Sequence, residues 1–260
     1  MPASDLPLLI DAVRAAGDVA RGFTGRTARR WDKPDGAGPV TEADLAVNDL
    51  LSERLRSARP DYGWLSEETE DATDRLGRSR AFIVDPIDGT RSFTEGSKTW
   101  AHSVAITQDG QVSAAVIYLP MRDMLFSAAK GQGAFLNGAP IQPSSGADLD
   151  QAEILAAKPA LRPDLWRDAL PPRFRRAYRP SLAYRLALVA QGRFDGMITL
   201  RQTWEWDIAA GTLILTEAGA QVSDRTGQAL VFNNPTPLLN GVVAAGPALQ
   251  NQIIRALAPS

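Results

Sequence analysis

The chain has no cysteine and only one histidine, His102, among its 260 residues. Without cysteine it can form no disulfide, no thiolate nucleophile and no thiolate metal site. This absence fits a reducing compartment, and we expect a cytoplasmic protein. One histidine excludes a multi-histidine metal site, and a phosphohistidine or Ser-His-Asp mechanism would depend on His102 alone. Carboxylates therefore have to carry any metal binding and acid–base chemistry.

The sequence also lacks a strong charge imbalance and a long apolar run. Its formal net charge of -2 gives no sign of a basic face, so we expect no nucleic-acid polymer as a partner. No segment approaches the roughly 18 to 20 apolar residues that a membrane span needs. The first residues show no basic segment followed by an apolar run, and we expect no secretory signal. The hydrophobic content of 44% is enough for a large core.

The hydrophobic pattern divides the chain into two halves. Apolar residues at helical spacing predict helices over 7–23 and 41–56, the second with a capping box formed by Thr41 and Asp44. Short strands follow, with hairpin turns at 109–110 and 137–138, which indicates an α+β half. Beyond 150, strands alternate with helices, including helices over 163–169, 181–191, 208–218 and 247–257, which indicates an α/β half. The Pro-, Ser- and Gly-rich segment 140–150 predicts domains at 1–142 and 143–260.

The most informative segment is 85–90, Asp-Pro-Ile-Asp-Gly-Thr, which follows the strand-like run 80–84. Its proline and glycine favour a tight turn that brings Asp88 back beside Asp85, with the Ile87 carbonyl directed into the same space. Carboxylate and carbonyl oxygens are the ligands that magnesium prefers. Gly89 allows a close approach of phosphate, and free amides at the start of a helical turn would bind an anion.

Other acidic residues have both ordinary and functional interpretations. Glu67 and Glu68 suit a solvated loop, and Asp44 suits a helix cap, but none of these roles excludes chemistry. Asp207 is expected as the N-cap of the helix 208–218. An acid in such apolar company is costly to bury without a partner, and a metal ion is one such partner.

Taken together, these segments resemble the inositol monophosphatase family of metal-dependent, lithium-sensitive phosphomonoesterases. The resemblance extends over nearly the whole chain and is carried by the segments 40–44, 85–90, 133–138 and 206–211, with Lys33 and Glu67. It implies an αβαβα sandwich and two or three magnesium ions, although manganese also accepts oxygen octahedra. It further implies a small phosphorylated metabolite as substrate, and a homodimer.

The resemblance implies a role for each matching residue. Glu67, Asp85 and the Ile87 carbonyl would bind one metal, and Asp85, Asp88 and Asp207 a second, with Glu67 also at a weaker site. Gly89 and Thr90 would hold phosphate oxygens through their amides, whereas Asp44 and Thr90, with help from Glu67, would activate the attacking water. Lys33 would lie near the metal site.

The substrate is open at this point between several phosphate esters. The triplet Glu-Trp-Asp at 205–207 resembles that of 3'(2'),5'-bisphosphate nucleotidases. Inositol phosphatases usually carry a glutamate seven residues before the aspartate, where this chain has Leu200. Histidinol phosphate, a sugar bisphosphate, or a regulatory role in the RNA machinery without catalysis are the remaining alternatives.

Several arginines could meet a second phosphate. Arg91 directly follows the 85–90 segment, and a basic cluster comprises Arg175, Arg176, Arg179 and Arg185. Because arginine binds phosphate through two parallel hydrogen bonds, we expect Arg91 or Arg185 to favour a doubly phosphorylated substrate. A solvated face is the alternative for the cluster.

Overall fold

A computed structural model describes residues 5–23, 27–33 and 38–259 of the chain. Its helices are α1 Asp5–Gly22, α2 Glu42–Ala58, α3 Thr90–Thr94, α4 Leu182–Ala190, α5 Glu205–Glu217 and α6 Pro247–Ala256. Its strands are β1 Arg30–Asp32, β2 Pro39–Thr41, β3 Gly63–Ser66, β4 Arg80–Asp88, β5 Ala101–Gln108, β6 Gln111–Leu119, β7 Met124–Ala129, β8 Ala134–Leu136, β9 Ala139–Pro140, β10 Glu153–Ala156, β11 Arg175–Ala177, β12 Gly196–Thr199, β13 Thr203–Trp204, β14 Gln221–Ser223, β15 Leu238–Leu239 and β16 Val242–Ala245.

The first large sheet has seven strands in the order β3 to β9. Strands β3 and β4 are parallel, and each later neighbour is antiparallel. Successive side chains of a strand point to opposite faces, and β4 shows this directly. Phe82 and Val84 pack with α1 and α2, whereas Ile83 packs with α4 and α5 on the other face. Both faces of this sheet are therefore covered by helices.

The second large sheet has five strands in the order β11-β10-β12-β16-β14. Leu155 and Met197 pack towards α4 and α5, whereas Ile154 and Ile198 pack towards α6. The layers therefore run α1/α2, first sheet, α4/α5, second sheet, α6. This order confirms the predicted αβαβα sandwich.

Most predicted elements are confirmed with shifts of one or two residues at their ends. Thr41 and Asp44 form the predicted capping box of α2. The helix predicted over 163–169 is wrong, because this segment forms two short 3-10 turns, Pro163–Leu165 and Arg167–Ala169. Strands β11 and β14 were not predicted, since three residues are too few for a clear alternating pattern.

No helix within the described ranges is both long and apolar enough to cross a bilayer. The division of the chain at residue 142 stays a prediction. The first large sheet ends with Ala139–Pro140 and the second begins with Glu153–Ala156.

Candidate active site

Asp85 and Asp88 reach the same place because β4 contains a bulge. Asp85 pairs with Ser103 and Asp88 with Ala101, so three steps along β4 correspond to two along β5. Residues three apart would point to opposite faces of a regular strand, and one extra residue in the strand cancels that difference. The bulge therefore gives this segment the close pair of acids that the sequence predicted.

Asp207 joins this pair from the other half of the chain. One oxygen from each of Asp85, Asp88 and Asp207 lies within 4.8 Å of the others. The prediction of Asp207 as a helix cap is wrong: α5 begins at Glu205, and Trp204 is its N-cap. Asp207 is the third helical residue, because the polar start of α5 extends three residues further than the apolar pattern indicated. Its carboxylate therefore lies within the first turn, where the helix dipole favours a negative charge.

The three carboxylates form an environment that suits a divalent cation. Oδ1 of Asp85 is buried and has no hydrogen-bond partner among the described residues. Burial and the neighbouring Glu67, Asp88 and Asp207 raise the pKa of Asp85 well above its usual range. Burial and the nearby Asp88 and Glu67 likewise raise the pKa of Asp207. An unpartnered oxygen among buried like charges is what an oxygen-ligated metal would satisfy, so the residues fit magnesium.

Asp88 also ties the cluster to the start of α4. Its Oδ2 accepts hydrogen bonds from Ser181 Oγ and from the Ala183 backbone N–H, each at 2.6 Å, and its Oδ1 accepts one from the Leu182 N–H at 3.2 Å. Ser181 is the N-cap of α4 and also accepts from the Tyr184 N–H. Burial raises the pKa of Asp88, whereas these hydrogen bonds and the nearby Arg185 lower it. Ser181 was not predicted as a site residue, although a serine before an apolar helix is an N-cap signal.

Asp44 and Thr90 form a second polar group beside the carboxylates. Thr90 Oγ1 lies 3.2 Å from Asp44 Oδ1 and 3.2 Å from the Ile87 carbonyl oxygen, and either can accept its hydrogen. The other Asp44 oxygen accepts from the Thr41 backbone N–H at 2.8 Å and from the Thr41 hydroxyl. Burial raises the pKa of Asp44 to about 6. The same side chain thus caps α2 and contacts Thr90.

Lys33 lies between two acids that follow β3. Its Nζ is 2.8 Å from Oε1 of Glu67 and 2.7 Å from Oε1 of Glu68. Glu67 lines the cleft described below, but its carboxylate is not among the three that lie within 4.8 Å. The Glu68 side chain is 4% exposed, and burial together with Glu67 raises its pKa to about 7. Glu68 was not predicted as a site residue, because the local sequence around a buried glutamate does not differ from that around a solvated one.

Gly89 and Thr90 stand at the beginning of α3, as the sequence predicted for a helical turn. Gly89 is the N-cap and has a φ of 97°, a value that glycine adopts without strain. The backbone N–H groups of the first turn of a helix have no acceptor within the helix. Both residues line the cleft with Asp88 and Asp207.

The cleft lined by these residues has a volume of about 470 Å³, and its lining includes arginines. Arg91, Arg185 and Arg201 line it with Glu67, Asp88 and Asp207. The Arg185 side chain is mostly buried, donates hydrogen bonds to the Arg179 and Pro180 carbonyls, and lies over the Tyr178 ring with its Cζ 4.5 Å from the ring centre. Arg201 was not predicted, because an exposed arginine after a strand carries no distinctive signal.

The other arginines of the predicted cluster do not line the cleft. Arg175 lies 3.9 Å from Glu153, and Arg176 donates to the Ala156 carbonyl at 2.9 Å. Arg179 packs over the Phe194 ring.

Leu200, seven residues before Asp207 in the sequence, does not line the cleft. Its side chain is buried in the core beside α6, whereas its neighbours Thr199 and Arg201 line the cleft. Leu200 and Arg201 follow Thr199, the last residue of β12, so backbone geometry beyond the strand decides which of them faces the cleft.

His102 contacts the backbone of the 85–90 segment and is not itself part of the site. The ring is fully buried, and Nδ1 contacts the Pro86 carbonyl oxygen. Since a carbonyl can only accept, Nδ1 carries the proton. Nε2 has no hydrogen-bond partner among the described residues, and burial lowers the pKa of His102 to about 4. This buried position indicates a structural role for His102.

Carboxylates from the end of β4 and the first turn of α5 thus form a buried cluster that suits a metal-dependent hydrolase of phosphate esters. The model of the inositol monophosphatase family matches residues 3–260. The inositol-1-monophosphatase of Rhizobium meliloti is 36% identical over 232 residues, which cover 85% of this chain and 86% of that protein. The Nus factor SuhB of Escherichia coli K12 is 34% identical over 242 residues, with 85% and 86% covered. The crystal structure of the extragenic suppressor protein suhB from Bartonella henselae gives a TM-score of 0.80 at 29% identity, with 97% of this chain and 98% of that chain covered. The chain therefore belongs to the inositol monophosphatase family and is a phosphatase.

Proposed function

We propose that the protein is a magnesium-dependent phosphomonoesterase whose substrate is a 3'(2'),5'-bisphosphate nucleotide such as phosphoadenosine phosphate. The observation that supports this best is the composition of the cleft, where three arginines line the same space as the acidic cluster. A monophosphate needs cationic contacts at one group only. A second phosphate, distant from the one that is cleaved, gives the additional arginines a partner.

In this proposal Asp85, Asp88 and Asp207 hold one magnesium, and Glu67, Asp85 and the Ile87 carbonyl hold another, with Glu67 also at a weaker third site. Manganese is an alternative ion for the same oxygen set. Bound magnesium would neutralise phosphate charge and lower the pKa of a water molecule. Support comes from the unpartnered Asp85 Oδ1 and from the raised pKa of Asp85 and Asp207.

The nucleophilic water is oriented by Thr90 and Asp44. When the Thr90 hydroxyl donates its hydrogen to Asp44 Oδ1, its lone pairs are free to accept from a water molecule. The proton of that water passes through the hydroxyl to Asp44 Oδ1 as Asp44 acts as general base. Because the pKa of Asp44 is about 6, it can accept a proton more readily than an ordinary aspartate.

The phosphate to be cleaved is held by the amides of Gly89 and Thr90. Arg185 contacts the second phosphate, and Arg91 and Arg201 complete the cationic wall. The buried and stacked Arg185 has lost most of its rotamer freedom before substrate binds, which lowers the entropic cost of binding. Lys33 acts near the proposed metal site, through its ion pairs with Glu67 and Glu68.

Phosphate release at fixed magnesium tests the proposal, with phosphoadenosine phosphate, inositol 1-phosphate and histidinol phosphate compared with and without lithium. We expect a lithium-sensitive preference for the bisphosphate. A higher kcat/KM for inositol 1-phosphate would contradict the substrate assignment. That outcome would favour the activity in the name of the Rhizobium meliloti relative.

A non-catalytic function is the second candidate, since several relatives are named as Nus factors. The near-neutral charge and the presence of the acids Asp44, Glu67, Asp85, Asp88 and Asp207 weigh against it. Absence of phosphate release from all three substrates, with magnesium bound, would favour this second candidate.

A further inference from the structure

Glu205 belongs to the Glu-Trp-Asp triplet but faces away from the cleft. Its side chain is fully buried, and its carboxylate accepts hydrogen bonds from a neighbouring loop. Oε2 accepts from the Asn233 N–H at 2.6 Å, and Oε1 accepts from the Asn234 N–H at 2.9 Å and from Asn234 Nδ2 at 2.7 Å. A substrate in the cleft therefore meets none of these oxygen atoms.

The same two asparagines bind a buried arginine from the other side. Arg75 Nη1 donates to Asn233 Oδ1 at 2.7 Å, and Nη2 donates to the Asn234 carbonyl at 2.9 Å. Nε and Nη2 also form a pair of 2.7 Å hydrogen bonds with the two oxygens of Asp71. The resulting chain, Asp71–Arg75–Asn233/Asn234–Glu205, is here called the Arg75 brace.

The brace connects two segments that both carry acids of the site. At one end, Asp71 and Arg75 lie in the segment that follows Glu67 and Glu68. At the other end, Glu205 begins α5, two residues before Asp207. The Arg75–Asn233 bond alone joins positions 158 residues apart.

Arg75 is also packed against the strand that leads to Glu67. A Cβ on Gly63, the first residue of β3, would lie 2.8 Å from Arg75 Cβ and 2.9 Å from Arg75 Cα. Glycine at position 63 therefore lets the Arg75 turn lie directly on β3. Arg75 thus packs against the strand whose last residue, Ser66, directly precedes Glu67.

A gain in folding stability does not by itself explain such a network. Burying one guanidinium and a carboxylate costs desolvation energy, and well-packed apolar residues often stabilise a protein at least as much. A network with every hydrogen bond satisfied does fix the relative position of the segments that it joins. Here those segments carry Glu67 and Asp207.

We propose that the Arg75 brace positions the Glu67–Glu68 segment relative to Asp207 and thereby sets the affinity for the divalent metal. Arg75 and Glu205 are then positioning residues that act through the metal-binding acids. The proposal rests on the metal roles given to Glu67 and Asp207 under the proposed function. It also gives the glutamate of the triplet a task independent of the substrate.

The test measures Mn²⁺ binding to the full-length protein without substrate, by the loss of the electron paramagnetic resonance signal of free Mn²⁺. The variants are Arg75→Lys, Glu205→Gln and Asp71→Asn. The control is Gln250→Ala, which removes a buried 2.7 Å hydrogen bond to Ser223, remote from the acidic cluster. The magnesium activation constant and kcat at saturating magnesium are measured on the same proteins.

We expect Arg75→Lys and Glu205→Gln to weaken Mn²⁺ binding about tenfold, the lower end of the range for partners that orient metal ligands. High magnesium should restore most of kcat, because the ligands themselves remain. Gln250→Ala should lower thermal stability and leave Mn²⁺ affinity unchanged. Unchanged affinity in folded Arg75→Lys and Glu205→Gln overturns the proposal, and so does an equal loss of affinity in Gln250→Ala.

If the two main variants fail to fold, Asp71→Asn decides, since the Asp71 side chain is 30% exposed and the change is conservative. A weaker Mn²⁺ affinity in this variant supports the brace, and unchanged affinity overturns it. A wild-type protein that binds Mn²⁺ but does not hydrolyse the bisphosphate refutes the substrate assignment alone and leaves the proposal about the brace unaffected. A wild-type protein that binds no Mn²⁺ overturns the brace together with the proposed metal roles.

Discussion

Asp88 at the end of β4 and Ser181 before α4 are joined by a 2.6 Å hydrogen bond across 93 residues of sequence. The serine hydroxyl donates to the carboxylate and at the same time accepts from the Tyr184 N–H as the helix N-cap. One side chain thus starts a helix of the C-terminal half and fixes an acid of the N-terminal half.

Ser181→Ala removes both of these hydrogen bonds. We expect a loss of about 1 to 2 kcal/mol in the free energy of unfolding, the usual cost of deleting a serine N-cap, measured by urea denaturation. Thr94→Ala is the matched control, because its hydroxyl bonds to the Arg91 carbonyl at an exposed position. The control should change stability by less than about 0.5 kcal/mol. Equal stability of wild type and Ser181→Ala would contradict the joint role.

Asp88→Asn should abolish metal-dependent activity while the protein stays folded. The amide keeps one oxygen to accept from Ser181 and Ala183, but it loses the negative charge beside Asp85 and Asp207. We expect kcat/KM for phosphate release to fall at least about a hundredfold, since even partners of metal ligands cost 10- to 100-fold. The circular dichroism spectrum should match that of the wild type. Near-normal turnover would refute the role of Asp88.

Magnesium should stabilise the protein against heat, since it relieves repulsion among buried carboxylates. At a concentration about 100-fold above Kd, the gain is about 2.7 kcal/mol, which raises Tm by roughly 5 °C or more in a chain of this size. Differential scanning calorimetry with magnesium and with a chelator measures the shift. Asp207→Asn should lose most of it, and Asp164→Asn, which changes an exposed acid paired with Arg162, should keep it. A full shift in Asp207→Asn would show that the ion binds elsewhere.

Acid should destabilise the protein through His102. Its pKa is about 4 in the folded protein and 6.5 as an ordinary histidine, so the unfolded chain takes up a proton first as pH falls. The neutral ring stabilises the fold fully above pH 6.5, and this contribution is lost towards pH 4. Between pH 7 and pH 5 the loss is on the order of 2 kcal/mol.

The variant His102→Asn isolates this effect. Asparagine keeps an N–H for the Pro86 carbonyl but does not titrate, although the smaller side chain lowers stability at every pH. Urea denaturation of both proteins at pH 7 and pH 5 should show an additional loss in the wild type. Parallel losses in the two proteins would mean that His102 remains neutral in both states or is charged in the fold.

The sequence was sufficient to predict the pairing of acids that lie close together in the chain. The 85–90 segment contains its own turn, so local chemistry predicted the pairing of Asp85 with Asp88. The bulge in β4 that accomplishes it depends on pairing with β5, which a local pattern does not contain. For the same reason, long-range partners such as Ser181 for Asp88 and Asn234 for Glu205 were not predictable from either segment alone.

The sequence did not predict which side chain near residue 200 faces the cleft, because backbone geometry decides this. Leu200 lies seven residues before Asp207 but packs in the core, whereas Arg201 lines the cleft. The extended first turn of α5 likewise placed Asp207 inside the helix instead of at its cap. Tertiary packing decides both which side chain faces the cleft and where the helix begins, so neither could be predicted from the local sequence.

The most direct test of the substrate assignment compares adenosine 3',5'-bisphosphate with adenosine 3'-monophosphate, which differ only in the second phosphate. The measurement is kcat/KM for release of the 3'-phosphate at saturating magnesium, in the wild type and in Arg185→Lys and Arg201→Ala. The account predicts at least about a tenfold preference for the bisphosphate, equivalent to one charge-assisted contact, and a smaller preference in both variants. Equal kcat/KM for the two nucleotides in the wild type would contradict it.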